Sequence, residues 1–110
     1  MNIDMAALHN IEKEKSIPVD DMLQTIGGAL LHAYRDYRGE EGDSRARVDI
    51  DRVNGSVAII VSELDEDGAV SSEYDDTPDN FARLSAQAVR EAIVKRLREA
   101  ENVRLFDEYQ

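Results

Sequence analysis

Residues 77–110 read TPDNFARLSAQAVREAIVKRLREAENVRLFDEYQ, and the rest of the chain is organised around this stretch. Thr77 offers a hydroxyl suited to an N-cap, Pro78 sits where a missing N–H is harmless, and Asp79 suits the positive end of a helix. A long helix is therefore predicted to start at Thr77. Phe81, Leu84, Ala88, Val89, Ala92, Ile93, Leu97, Ala100 and Val103 recur at spacings of three and four. At about 100° per residue they share one broad apolar arc, which is a core face. Arg83, Arg90 and Arg98, with Lys95 beside them, fall on the opposite side as an exposed basic stripe. Such a stripe is ordinarily a solvated face. Its setting argues for more, because residues 81–104 carry six Lys or Arg against three Asp or Glu, whereas residues 39–80 carry three against thirteen. The chain is electrically bipolar.

A chain of 110 residues, 42% hydrophobic, suits a single domain over residues 1–110 with one core. No run approaches the roughly 18 apolar residues of a membrane span, and the N-terminus lacks a basic and apolar leader, so a cytoplasmic protein is expected. With no cysteine there are no disulfides, thiolate metal sites or cysteine nucleophiles, and stability must come from packing. A net charge of -11 and a pI near 4.5 argue against phosphate binding by the chain as a whole. Any nucleic-acid contact must be local, and an acidic surface points first to a protein partner.

Ahead of the long helix, Asn2 is a candidate N-cap for a short amphipathic helix through Met5, Leu8 and Ile11 to about Lys15. Ser16-Ile17-Pro18 ends it and opens a second helix, with Asp20 and Asp21 near the positive dipole end. Val19, Leu23, Ile26, Leu30, Ala33 and Tyr37 mark its buried face. The Gly27-Gly28 pair at its centre is unfavourable by roughly 1 kcal/mol per glycine relative to alanine, which suggests close backbone packing against another helix. Arg35 and Arg38 suit the negative end of this helix, and Gly39 is a natural stop. Glu40 to Ser44 is an acidic connector.

Arg45 to Asp51 alternates strictly, with Ala46, Val48 and Ile50 on one face of a half-buried strand. Asn54-Gly55 reads as a type I′ hairpin turn, Val57 to Val61 as the apolar middle strand, and Asp65-Glu66-Asp67-Gly68 as a second turn. Ala69 to Tyr74 is a weaker third strand, with Val70, Ser72 and Tyr74 on one side. The predicted class is α+β: two N-terminal helices, a small antiparallel meander and a long C-terminal helix.

The motifs of catalysis and cofactor binding are missing. There is no Gly-rich phosphate loop, GxSxG or HExxH, and the 65–68 acidic turn lacks EF-hand spacing. His9 and His32 have no ligand or nucleophile at useful spacing. Asp75 and Asp76 read as helix-dipole and solubility residues. A non-enzymatic protein without metal or cofactor is expected.

In this order of elements the chain resembles the N-terminal domain family of the bacterial transcription factor NusA. The likeness covers essentially all 110 residues. It rests on Ile17-Pro18 leading into Ala29-Leu30-Leu31, on Val48-Asp49-Ile50-Asp51-Arg52 before Asn54-Gly55, and on Asn80-Phe81-Ala82-Arg83 followed by Ala86 to Glu101. The last is the most specific. The opening Met1 to Leu8 also looks like one branch of the family.

The resemblance implies docking on RNA polymerase at the β-subunit flap tip, near the RNA exit channel, with effects on pausing, termination and antitermination. It also implies a place beside nascent RNA for Arg83 and for basic residues closing the second helix, here Arg35 and Arg38. Arg90, Lys95 and Arg98 extend that surface. The family's RNA-binding OB-fold and KH domains have no counterpart here, so the chain is expected to be a monomeric excised domain, with Phe106 to Tyr109 leading toward the next domain. The competing reading is an acidic interaction or dimerisation module with no nucleic-acid role, and light scattering separates the two.

Overall fold

The computed structural model of the chain describes residues 1–39 and 45–108, with side chains described through residue 101. The elements are α1 (Met5–Lys15), α2 (Val19–Arg38), β1 (Ala46–Ile50), β2 (Val57–Leu64), β3 (Val70–Asp75) and α3 (Phe81–Glu108). The strands form an antiparallel sheet in the order β1-β2-β3, so the α+β meander architecture expected from the patterning is observed. No helix among the described residues is long and apolar enough to cross a membrane. The Glu40 to Ser44 connector, the Val103 side chain and Tyr109 lie outside what is described.

Alternation in β1 and β2 decides how the sheet packs. Ala46 pairs with Val61, Val48 with Ile59 and Ile50 with Val57, so these six side chains share one face. Against it lie Met22, Leu23, Ile26, Leu30 and Tyr34 of α2, Met5 and Leu8 of α1, Ile17, and Phe81 at the start of α3. Beyond Phe81, α3 contributes only partly buried Val89, Ile93, Leu97 and Ala100. Its core contact is strongest at its first turn. Residues of β3 are exposed throughout, including Val70 and Tyr74.

Ion pairs and caps set the helix directions. Asp21, near the start of α2, meets Arg96 far along α3 at 3.6 Å, and Arg38, at the end of α2, meets Asp76 just before α3 at 2.7 Å. The two helices therefore run antiparallel. Pro18 gives α2 no capping side chain, and the carboxylate of Glu12 in α1 substitutes by accepting the Val19 N–H at 2.8 Å.

Several expectations change in detail. The α1 cap is Asp4, whose Oδ1 accepts the Ala7 N–H at 3.1 Å, while Asn2 instead bridges to Ser56. Helix α3 begins at Phe81 rather than Thr77, because the Thr77 hydroxyl is otherwise engaged: it accepts the Ile59 N–H of β2 at 2.8 Å and donates to Asp75 at 2.5 Å. The Asn80 carbonyl accepts the N–H of Leu84 at 3.0 Å as the helix opens. Leu84 is 39% exposed, and the neighbouring Ser85 is buried in its stead, its hydroxyl donating to the Phe81 carbonyl at 2.7 Å. Tyr37 is likewise half exposed while Tyr34 is buried, a shift of the α2 core face by one turn's edge.

The two central glycines of α2 do not mark a close helix crossing. A Cβ on Gly27 would meet only Ile50 of β1, at an ordinary 3.9 Å, and one on Gly28 would meet nothing. Gly55 is the glycine that the fold needs. The turn is wider than type I′, since Asn54 has no positive φ; the Asp51 carboxylate accepts the N–H groups of Val53 at 2.7 Å and Asn54 at 3.1 Å. Gly55 then turns at φ 77°, and its carbonyl accepts the Ile3 N–H at 2.6 Å. A Cβ there would overlap the Ile3 backbone.

Two glycine substitutions should thus have opposite signs. Gly55→Ala combines a positive φ with a backbone collision and is expected to destabilise by roughly 2 to 4 kcal/mol. Gly28→Ala, in helix and in open space, is expected to stabilise by about 0.4 to 1 kcal/mol. Urea denaturation of both variants against the parent checks the pair, and an undiminished midpoint for Gly55→Ala would contradict the packing of the N-terminus against this turn.

Candidate nucleic-acid interface

The candidate interface is built on one carboxylate. Asp76 leaves β3 with its N–H bonded to the Ile59 carbonyl at 2.9 Å, which fixes its position on the sheet. One oxygen accepts the Tyr34 phenol at 2.6 Å and the other pairs with Arg38 at 2.7 Å. The Arg38 guanidinium also lies 5.7 Å from the ring centre of Tyr34 and 5.2 Å from that of Tyr37, cation–π distances. The C-terminal end of α2 is thereby held against the segment that enters α3. Arg35 and Arg38, in the last turn of α2, and Arg83, in the first turn of α3, are brought to one end of the molecule.

From that end Arg83, Arg90, Lys95 and Arg98 follow the outer side of α3, all exposed and without an ion pair to any described residue. Exposed Val94 and Leu84 lie on the same side, and Glu91 and Glu99 interleave with the cations. Arg35 is also exposed and makes no ion pair with the described residues. Arg38 differs from the other five, since its charge is already partnered by Asp76. Arg96 belongs to the inner edge of α3, half-buried and paired with Asp21.

Several acidic residues away from α3 are engaged with backbone N–H groups. Asp51 and Asp65 close the two hairpin turns, Asp65 accepting the N–H groups of Asp67 and Ala69, both at 2.9 Å. Arg47 bonds Glu73 and Asp49 across the outer face of the sheet. Among the described residues no three His, Asp or Glu side chains converge to hold a metal ion. A shallow groove between α2 and β1, floored by Leu23, Gly27, Leu31 and Val48, has the Asp20 and Arg52 ion pair at its rim and no convergent carboxylates.

Sequence reasoning missed Tyr34 and Asp76 as a structural pair. Tyr34 and Arg38 stand at i and i+4 on a helix, which was a usable local signal. Asp76 is 42 residues from Tyr34, and nothing local announces that contact. Asp75, beside it, also does more than adjust charge: hydrogen bonds from the hydroxyl and N–H of Thr77 hold its carboxyl below the usual carboxylate range.

Burial, and then the hydrogen bond to Asp76, push the Tyr34 phenol above its ordinary value. A raised folded-state value favours the neutral phenol, so its contribution is full below the ordinary phenol range and is lost as pH rises through the folded value. Tyr34→Phe is expected to lower stability at neutral pH by about 1 to 2 kcal/mol, one hydrogen bond to a charged acceptor. It should also remove a phenol that titrates above the ordinary tyrosine range in an alkaline absorbance titration. Absence of such a phenol in the parent would mean that the buried pair is misplaced.

The profile of the family described as NusA N-terminal domain matches residues 5–64. The transcription termination/antitermination protein NusA of Mycobacterium tuberculosis (strain ATCC 25618 / H37Rv) is 49% identical over 109 residues, covering 99% of this chain and 31% of that protein. The protein of the same name from Bacillus subtilis (strain 168) is 29% identical over 125 residues, covering 94% of this chain and 33% of that protein. Among solved structures, the solution structure of the N-terminal domain of NusA from B. subtilis superposes with a TM-score of 0.67 at 27% identity, covering 89% of this chain and 95% of that one. The chain spans about a third of the length of the curated relatives it matches.

Proposed function

The chain belongs to the NusA N-terminal domain family, and from that premise we propose that it is the polymerase-binding regulatory domain of a longer transcription termination/antitermination protein. In this reading it docks near the β-subunit flap tip, at the mouth of the RNA exit channel, and modulates pausing, termination and antitermination there. It acts as a monomer in the cytoplasm and performs no chemistry of its own.

The observation that carries the reading is the separation of charge. In a chain of net charge -11 the exposed cations Arg83, Arg90, Lys95 and Arg98, with no ion pair among the described residues, occupy one side of one helix. Phosphate binding draws on such local clusters, and an acidic chain as a whole would be repelled by RNA. The emerging transcript is accordingly met by the outer side of α3 and by the end where Arg35, Arg38 and Arg83 gather. Arg83 stands foremost, at the third position of α3 and next to that junction. A guanidinium there can pair bidentately with a phosphate. The acidic sheet and first two helices face basic protein surface instead.

Arg83→Glu is expected to reduce the enhancement of hairpin-stabilised pausing in a transcription assay while thermal stability and polymerase binding change little. Arg90→Glu should act in the same direction more mildly, because a Debye length of about 8 Å limits the reach of a more distant charge. Pausing by Arg83→Glu at the parent level would reduce the basic stripe to a solvated face.

A further inference from the structure

The Asn54-Gly55 pair carries a reactivity that its role in a hairpin does not use. Of the five asparagines, Asn54 alone precedes a glycine; the others precede Ile, Phe or Val. A glycine, with no Cβ, lets its own backbone nitrogen swing toward the carboxamide carbon of the residue before it. The Gly55 amide then gives its proton to hydroxide and the nitrogen attacks Asn54 Cγ. A bond forms from Gly55 N to Asn54 Cγ, the bond from Cγ to Nδ2 breaks, and the leaving nitrogen takes a proton from water to depart as ammonia. Water opens the resulting cyclic imide at either carbonyl. One product is aspartate, the other isoaspartate, which adds a methylene to the main chain between residues 54 and 55.

The fold blocks the first step. Asn54 is exposed, but Gly55 is buried, and the N–H that must lose its proton is bonded to the Asp51 carbonyl at 2.8 Å. Deprotonation there would set an amide anion against a carbonyl oxygen and away from water. The carboxamide is held as well, since Asn54 Oδ1 accepts the Ser56 N–H at 2.9 Å. What keeps Gly55 buried is the segment before α1. The Gly55 carbonyl accepts the Ile3 N–H at 2.6 Å, the Met1 carbonyl accepts the Val57 N–H at 3.0 Å, and Asn2 bridges to Ser56. Residues 1–3 therefore run alongside residues 55–57, with the Ile3 backbone packed directly on Gly55. End segments of this kind are among the first parts of a fold to open.

We propose that Asn54 is a latent isoaspartate site, kept closed by the docking of residues 1–3 and exposed to reaction when that segment lifts away. The change is one-way. The added methylene shifts Asn54 relative to Gly55, so the turn no longer presents the Gly55 carbonyl and the Val57 N–H to Ile3 and Met1 in register. A molecule that has opened and reacted stays open at this turn.

The test follows ammonia release and isoaspartate in this chain during incubation in mildly alkaline buffer, by intact mass and by labelling with an isoaspartyl methyltransferase. The folded parent should react at least about tenfold more slowly than the same chain unfolded in guanidinium chloride, as expected when reaction waits on local opening. Asn54→Gln, whose imide would need a larger ring, should abolish the fast reaction in the unfolded chain. Ile3→Pro removes the docking N–H and should speed the folded-state reaction about tenfold. Tyr34→Phe, which lowers global stability without touching this segment, should react like the parent. Independently of any variant, isoaspartate-enriched parent should lose hydrogen-exchange protection at the Ile3 and Val57 amides and keep it at Val61. Equal rates in the folded and unfolded parent would overturn the proposal. So would acceleration by Tyr34→Phe without acceleration by Ile3→Pro, which would assign the reaction to global unfolding. Full protection of Ile3 and Val57 in the isoaspartate form would overturn the one-way opening.

Discussion

The two-sided use of the Asp76 carboxylate is the constraint on which the arrangement of the helices depends. A sheet with helices on one face leaves open how the last helix departs, and here the connection from β3 to Phe81 is only five residues long. There Thr77 donates its N–H and hydroxyl to the carboxylate of Asp75 at the end of β3 and accepts an N–H from β2, and Asp76 reaches the end of α2. Each bond is worth about 1 kcal/mol net. Together they fix both the position and direction of α3 before its apolar residues contribute. Phe81 then enters the core at a defined place, and the remaining turns lie along α2 in antiparallel sense.

This explains why a helix with so modest a buried face can be part of the fold. Past Ser85 no described residue of α3 is fully buried, and Val89, Ile93, Leu97 and Ala100 are partly exposed. Leu97, which the periodicity puts in the core, is at its margin. A helix of 28 residues spans about 42 Å at 1.5 Å per residue, well beyond the layer it covers. Anchoring by the Asp76 junction at one end, with the Asp21 to Arg96 and Lys15 to Glu101 pairs farther along, leaves the outer side free for charge. Exposed ion pairs of that kind contribute little to stability and serve mainly to set orientation.

The order and type of the elements were legible because each rests on a local pattern: strict alternation at Arg45 to Asp51, helical spacing after Pro18 and after Phe81, acidic turns closed by glycine. The basic stripe was legible for the same reason, since helical spacing alone puts Arg83, Arg90, Lys95 and Arg98 on one side. What local pattern could not supply was competition for partners. Thr77 has the chemistry of an N-cap, and loses that role because an unpaired N–H of Ile59 in β2 lies within reach. Asn54-Gly55 has the chemistry of a tight hairpin, and becomes a wider turn because Asp51 satisfies two N–H groups inside it and the N-terminus needs the Gly55 carbonyl. In each case the residue types that favour the local motif are the ones a distant segment recruits.

The same competition bears on the basic surface. Of the cations on the proposed RNA-facing surface, Arg38 is the one with an ion-pair partner among the described residues, and its guanidinium is committed to Asp76 and to two tyrosine rings. A buried or half-buried ion pair costs desolvation, and replacing its acid with an apolar side chain would be the simpler way to join two helices. Keeping Asp76 retains a cation at the end of α2 while cancelling most of its field. The surface there consequently carries less net charge than its two arginines alone would give it. On the outer side of α3 the cations make no ion pair among the described residues, and their charge acts over a Debye length. The two halves of the basic surface thus differ in kind, one partnered within the fold, the other carried on exposed cations and sensitive to salt.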